Sequence, residues 1–268
     1  QPADQAPSTG LASSVTALMP TEPAAPNFSA LCSDFYINQK LGLKLDLPDR
    51  REPVLDMFDR LRKEFPKLDR FRRFDGEIAL ESAESDREFA WVAMRQTSLR
   101  SGSVNPLSLE EAYGLHKRIL ETAPYFLSIS PLDVDFLELV FGFDFETDEP
   151  RDEIIFDALY ADSPLASLVD RQQDTLVDVQ PAIGVSLSIS GDLQASFEVK
   201  SWPRIDLPPA DGDPISVFLT VRKLGPVRSL DDLGTVFASL CGHAERLAEH
   251  RVIPHLVVPI RNAILARP

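Results

Sequence analysis

The sequence predicts an α+β protein in which one β-α-β-β-α unit, ferredoxin-like or related, is used twice. Its antiparallel or mixed sheets should be covered by helices on one face. Three observations predict this. Apolar and polar residues alternate from Phe35 to Leu45 as in a half-buried strand. Stretches with apolar residues at helical spacing follow. The same order of elements then starts again near Asp133 with one strand added. The units are placed at 28–130 and 131–268, either as two domains or as one continuous domain, behind a Pro/Ala/Ser-rich tail at 1–27 that reads as flexible.

The first strand carries Phe35, Ile37, Leu41, Leu43 and Leu45 on one side and Tyr36, Asn38, Lys40, Lys44 and Asp46 on the other. Pro53 suits a first helical turn, and Val54, Met57, Phe58, Leu61 and Phe65 recur at helical spacing up to Pro66. Strands are predicted over 74–81 and 88–100, joined by a polar loop. Ser108 and Glu111 then form a capping box ahead of a helix that aligns Tyr113, His116, Ile119 and Leu120.

The second unit opens with a strand over 133–145 so rich in apolar residues that burial on both faces is expected. A helix over 152–168 starts with Asp152 and Glu153, which suit its positive end. Alternation over 177–189, a turn at Gly191 and Asp192, and alternation over 193–199 predict a hairpin. A strand over 215–221 and a long helix capped by Ser229 complete the chain.

The 268 residues are 44% hydrophobic and 26% charged, with 42 acids against 27 bases and a net charge of −15. A chain this long buries roughly three quarters of its unfolded surface, so neither disulfides nor metals are required for folding. The negative charge keeps it soluble and repels a polyphosphate, which argues against nucleic acid as partner. Val252 to Ile260 is the longest apolar stretch near the end, far short of the roughly 20 residues that span a bilayer, so no membrane is expected. Cys32 and Cys241 form no CxxC pair, which points to a reducing, cytoplasmic compartment. The chain begins at Gln1 rather than Met, which leaves room for a removed signal peptide.

The run Phe65, Pro66, Arg70, Arg72, Arg73, Phe74, Gly76, Glu77 and Leu80, set between a first helix and a hairpin, resembles an uncharacterised, sporadically distributed bacterial family of comparable length. The family carries no assigned activity, so the resemblance implies an architecture and no site residues.

Candidate sites follow from charge and aromatic content. Arg60, Arg62, Lys63, Lys67, Arg70, Arg72 and Arg73 invert the local charge and could dock an acidic partner. The blander interpretation is a solvated helix end with pairs such as Asp59 with Lys63. Trp91, Trp202 and Phe218 are candidates to line an apolar cleft between the repeats. Asp133, Asp135, Glu138, Asp144, Glu146, Asp148, Glu149, Asp152 and Glu153 could assist a metal-dependent hydrolase, although their spacing fits no calcium loop. His243 and His250 lie about 10 Å apart along a helix, too far for one zinc, with Cys241 on the opposite side. His116 could be a buried base or a satisfied core-edge histidine, and Tyr125 and His255 carry no signal. No phosphate-binding glycine loop or nucleophile elbow occurs, and no cofactor is predicted. The leading expectation is a non-enzymatic interaction or regulatory protein acting through a protein partner or self-association. A small-ligand binder and a metal-assisted hydrolase are the alternatives.

Overall fold

The structure, a computed structural model, describes residues 28–48, 50–83, 87–201 and 213–267. The tail at 1–27 and Trp202 lie outside the described residues.

The first half runs β1 (Asp34–Leu43), α1 (Arg51–Glu64), β2 (Leu68–Phe74), β3 (Glu77–Ser82), β4 (Phe89–Arg95), β5 (Ser98–Val104) and α2 (Leu109–Phe126). The second runs β6 (Val134–Phe145), α3 (Arg151–Leu159), β7 (Ala182–Ser186), β8 (Leu193–Lys200), β9 (Ile215–Leu224) and α4 (Asp232–Leu247). A π-helical segment, Ala248–Val257, continues α4 into α5 (Val258–Leu265). Pro254 lies inside that segment. It lacks an N–H and its ring crowds the carbonyl four residues back, so the helix widens to the i→i+5 pattern seen between Val258 N–H and Ile253 O.

The nine strands of the described residues form one antiparallel sheet in the order β2-β3-β4-β5-β1-β6-β9-β8-β7. In each half the first strand returns to pair with the last, and the two first strands, β1 and β6, pair along their length with Ile37 opposite Phe141. The halves are therefore joined by backbone hydrogen bonds at the middle of the sheet, with no cleft of strand separation between them. The α+β class and the single helical layer are as the sequence predicts, while several elements differ in extent.

The segment 88–100 continues to Val104 and folds as two strands around a tight turn at Gln96 and Thr97. Residues 68–74, which the sequence places between the first helix and a strand opening at Phe74, are β2, because Asp75 and Gly76 both take positive φ (44° and 75°) and close a two-residue hairpin. The α3 helix stops at Leu159, followed by a 3-10 turn at Pro164–Leu168. The predicted strand at 177–189 shrinks to β7, with Val177 and Ile189 in solvent. Helix α4 starts at Asp232, whose carboxylate accepts from Ser229 N–H at 3.1 Å, so the cap comes from inside the helix. The Ser108 cap forms as read, its hydroxyl accepting from Glu111 N–H at 3.1 Å.

Helices bury one face of the sheet. Phe35, Ile37 and Leu41 of β1 and Leu137, Leu139, Phe141 and Phe143 of β6 point into that core. Among the described residues no helix covers the other face, so β6 is not buried on both sides. There it is shielded by its own neighbours: rings lie across glycines on adjacent strands, Tyr36 over Gly142, Phe136 over Gly42 and Trp91 over Gly102. Glycine is needed because a Cβ at any of these three positions would collide with the ring. Gly142→Val is expected to lower the unfolding free energy by about 2–3 kcal/mol. Gly114→Ala, in α2 with open space around it, should raise it by about 0.5–1 kcal/mol. Denaturant titration of both variants checks the contrast.

Candidate functional site

Three places carry chemistry: the basic edge strand, the open sheet face and a cavity under α1 and α2. The basic run is split between elements. Arg60, Arg62 and Lys63 belong to α1, where Arg60 pairs with Glu64 at 2.8 Å and Arg62, rather than Lys63, takes Asp59 at 3.4 Å. Lys67 lies before β2 and meets Glu88 at 3.5 Å.

Arg70, Arg72 and Arg73 lie on β2, the outermost strand, which is exposed from Asp69 to Phe74. Register places Arg70 and Arg72 on the open face, and Phe71 and Arg73 on the helix side. Arg72 is committed to Glu81 at 2.6 Å. Arg70 and Arg73 form no ion pair among the described residues. Phe74 is 74% exposed, and Phe71 is 54% exposed although its ring meets Phe58 at 5.9 Å. The outer edge of β2 therefore combines unpaired backbone groups, uncommitted guanidiniums and aromatic surface.

Trp91 and Phe218 share the open face but do not line a cleft between repeats. They stand four strand spacings apart, about 19 Å. Between them Lys40 sits directly opposite Arg100, a like-charge pairing that costs energy by itself. Ring faces and carboxylates offset that cost. Lys40 lies 5.4 Å from the Phe136 ring centre, Arg100 lies 5.6 Å from Trp91 and 3.4 Å from Glu77, and Arg222 lies over Phe136 at 4.7 Å and on Glu138 at 2.6 Å. These charges are largely satisfied within the sheet.

The carboxylates of 133–153 are dispersed along β6 and into α3, and no group of three potential metal-ligating side chains occurs among the described residues. Glu138 is spent on Arg222, while Asp135 stands exposed at the start of β6. Asp144 faces Asp34 across the β1–β6 pair. Burial pushes its pKa up to about 6, Asp34 adds to the rise, and the Tyr36 hydroxyl, 3.3 Å away, works against it.

His116 is fully buried between α2 and the sheet, with Nδ1 2.8 Å from Ser101 Oγ. The Gln39 amide nitrogen faces Ser101 at 2.9 Å, because only that orientation lets its oxygen accept from Lys40 and Leu41 N–H. Gln39 thus donates to Ser101, Ser101 donates to Nδ1, and the ring proton sits on Nε2, which has no partner. Burial pulls the His116 pKa down to about 3. Ser101 is as buried as the histidine, so this serine–histidine pair meets no substrate from solvent.

His243 is bonded to Arg246 at 2.7 Å, and His250, His255 and Tyr125 are exposed. Burial pushes both cysteine thiols up to about 12, which leaves them unreactive.

The cavity was not legible in the sequence. It encloses about 510 Å³ between the end of α1, the start of α2 and strands β2 to β5, with Phe65, Leu68, Phe89 and Leu115 among its walls. Six elements contribute to it, so no local motif marks it.

Among the described residues no helix is long and apolar enough to cross a membrane. No family model matches this chain, and no curated protein matches it. Among solved structures, the crystal structure of the di-domain ARO/CYC BexL from the BE-7585A biosynthetic pathway is similar over 87% of this chain and 99% of that one. At 9% identity and a TM-score of 0.23 the likeness is too distant to carry an argument.

Proposed function

We propose that this chain is a non-enzymatic interaction protein that docks an extended acidic segment of a partner protein along the outer edge of β2. The supporting observation is β2 itself: an edge strand exposed on both faces, with Arg70 and Arg73 uncommitted and Phe71 and Phe74 offering apolar contact. A strand added there gains main-chain hydrogen bonds from the edge and selectivity from alternating side chains. Charge selects the occupant. Two β2 edges of this chain would set arginines against arginines, which disfavours pairing of two copies through this strand, whereas glutamates on both faces of an added strand meet Arg70 and Arg73.

The test is titration with a synthetic peptide of repeating Glu-Glu-Val-Val, which carries glutamate on both faces of a strand, with a Lys-Lys-Val-Val peptide as control, read by fluorescence anisotropy and by hydrogen exchange. The acidic peptide should bind and slow exchange of the outward amides of β2, and the lysine peptide should not bind. Exposed ion pairs contribute about 0.2–1 kcal/mol each. Reversing both charges in R70E/R73E should therefore weaken binding about tenfold. Unchanged exchange along β2 at saturating acidic peptide defeats the proposal.

A further inference from the structure

The cavity under α1 and α2 points to a second, independent binding activity: we propose that it takes a small organic cation with an apolar body, an arylalkylamine in the simplest case. Three features argue for this, and none depends on strand addition at β2. The first is size and lining. About 510 Å³ is ordinary for a small-molecule site, and the walls are dominated by apolar carbon, with Phe65, Leu68, Ala112 and Leu115 among them.

The second is the floor. Ser103 is only 6% exposed, projects from β5 on the helix side, lines the cavity and has no hydrogen-bond partner for its hydroxyl among the described residues. Nearby Ser82 accepts from Ala90 N–H at 2.9 Å. The hydroxyl is not sealed from solvent, so it is open to the cavity and available to hydrogen-bond a ligand atom.

The third is the balance of charge at the mouth. Lys67 is the one cation among the described lining residues, and it is taken by Glu88 at 3.5 Å. Glu64 is neutralised by Arg60 at 2.8 Å and by Arg118. Asp69 and Glu111 remain without an ion pair among the described residues. The positive end of α2, which would otherwise favour an anion, is already answered by Glu110 and Glu111. What the mouth lacks is positive charge. An ammonium group entering there would meet Asp69 and Glu111, both of which line the cavity.

The experiment is isothermal titration of the full chain with three probes of one shape: phenylbutylamine, phenylbutanol and phenylbutyrate. The amine is expected to bind at least about tenfold more tightly than the alcohol, and the carboxylate more weakly than the alcohol. In E111Q, which leaves β2 untouched, the advantage of amine over alcohol should shrink severalfold while affinity for the alcohol stays the same. Ser103→Phe, which fills the floor, should abolish binding of all three. Should that variant misfold by circular dichroism, E111Q alone decides the matter. Equal affinity for amine and alcohol, an E111Q variant that keeps the full preference, or no binding of any probe overturns the proposal.

Discussion

Truncating Phe141 to alanine is expected to destabilise the protein by about 3–5 kcal/mol, the range found for removing a large ring from a core that cannot fully collapse. Phe141 lies on β6, beside the central strand β1, with no exposed surface. Its ring stands 5.6 Å from Phe35 and 6.0 Å from Phe28, and Phe143 meets Phe35 at 5.2 Å, so four rings share one packed cluster. Cross-strand neighbours Ile37 and Leu219 hold both sides of the backbone in place, leaving little freedom to close the void. At about 2–4 °C per kcal/mol the melting temperature should fall roughly 6–20 °C. The control is Phe136→Ala five residues earlier, on the open face, where the ring covers Gly42 and holds Lys40 and Arg222 at its surface. That change should cost no more than about half as much by the same measurement, because partly exposed carbon was never fully withdrawn from water. Equal losses at the two positions would mean that the open face is covered in solution.

Acid should act on this fold through two buried groups of opposite sign. His116 has its pKa lowered from 6.5 to about 3, so the unfolded chain binds a proton that the folded chain refuses. Its contribution is fully present above pH 6.5 and is lost as pH falls toward 3. Asp144 has its pKa raised from 3.8 to about 6, so the folded chain binds the proton first, and stability rises as pH falls from 6 toward 3.8. Between about pH 6 and pH 4 the two slopes nearly cancel. Asp144→Asn removes one of them. In that variant the unfolding free energy should drop by roughly 2–3 kcal/mol from pH 6.5 to pH 4.5. His243 is shifted in the same direction as His116, but it is mostly solvated and screened. The dependence on His116 is therefore read as the difference between D144N and D144N/H116Q, by denaturant titration at each pH. A D144N variant as flat as the wild type would place water at His116.

The sequence made the alternating strands legible wherever one face is apolar and the other polar, as in β1, β8 and β9. It hid β2, whose seven residues carry four charges and expose both sides, so that strand alternation had nothing to contrast. The missed cue was the dipeptide Asp75-Gly76, the strongest short-range hairpin signal, flanked by Phe74 and Ile78. The β4–β5 turn offered no such cue, since Gln96 and Thr97 include neither Gly nor Asn. Among site residues, the arginines of β2 were singled out by charge alone. Trp91 and Phe218 were singled out as large rings, yet the face they occupy is decided by register with Gly102 and Gly142 across other strands. The cavity is the extreme case, because Ser103, Phe65 and Glu111 converge only once α1 and α2 have docked on the sheet.

The pairing of β1 with β6 has a consequence for the chain as it is being made. In translation order β1 comes first, but the partner for its second edge follows roughly a hundred residues later, a non-local contact of the kind that slows folding. At about 5–20 residues per second, the ribosome leaves that edge unmatched for several seconds, with the side chains of Phe35, Ile37 and Leu41 already in line along it. During that interval the nascent first half is a template for any other extended segment nearby. Synthesis slowed just ahead of β6 should lengthen this window and raise the aggregated fraction, and synthesis slowed after β6 should leave it unchanged.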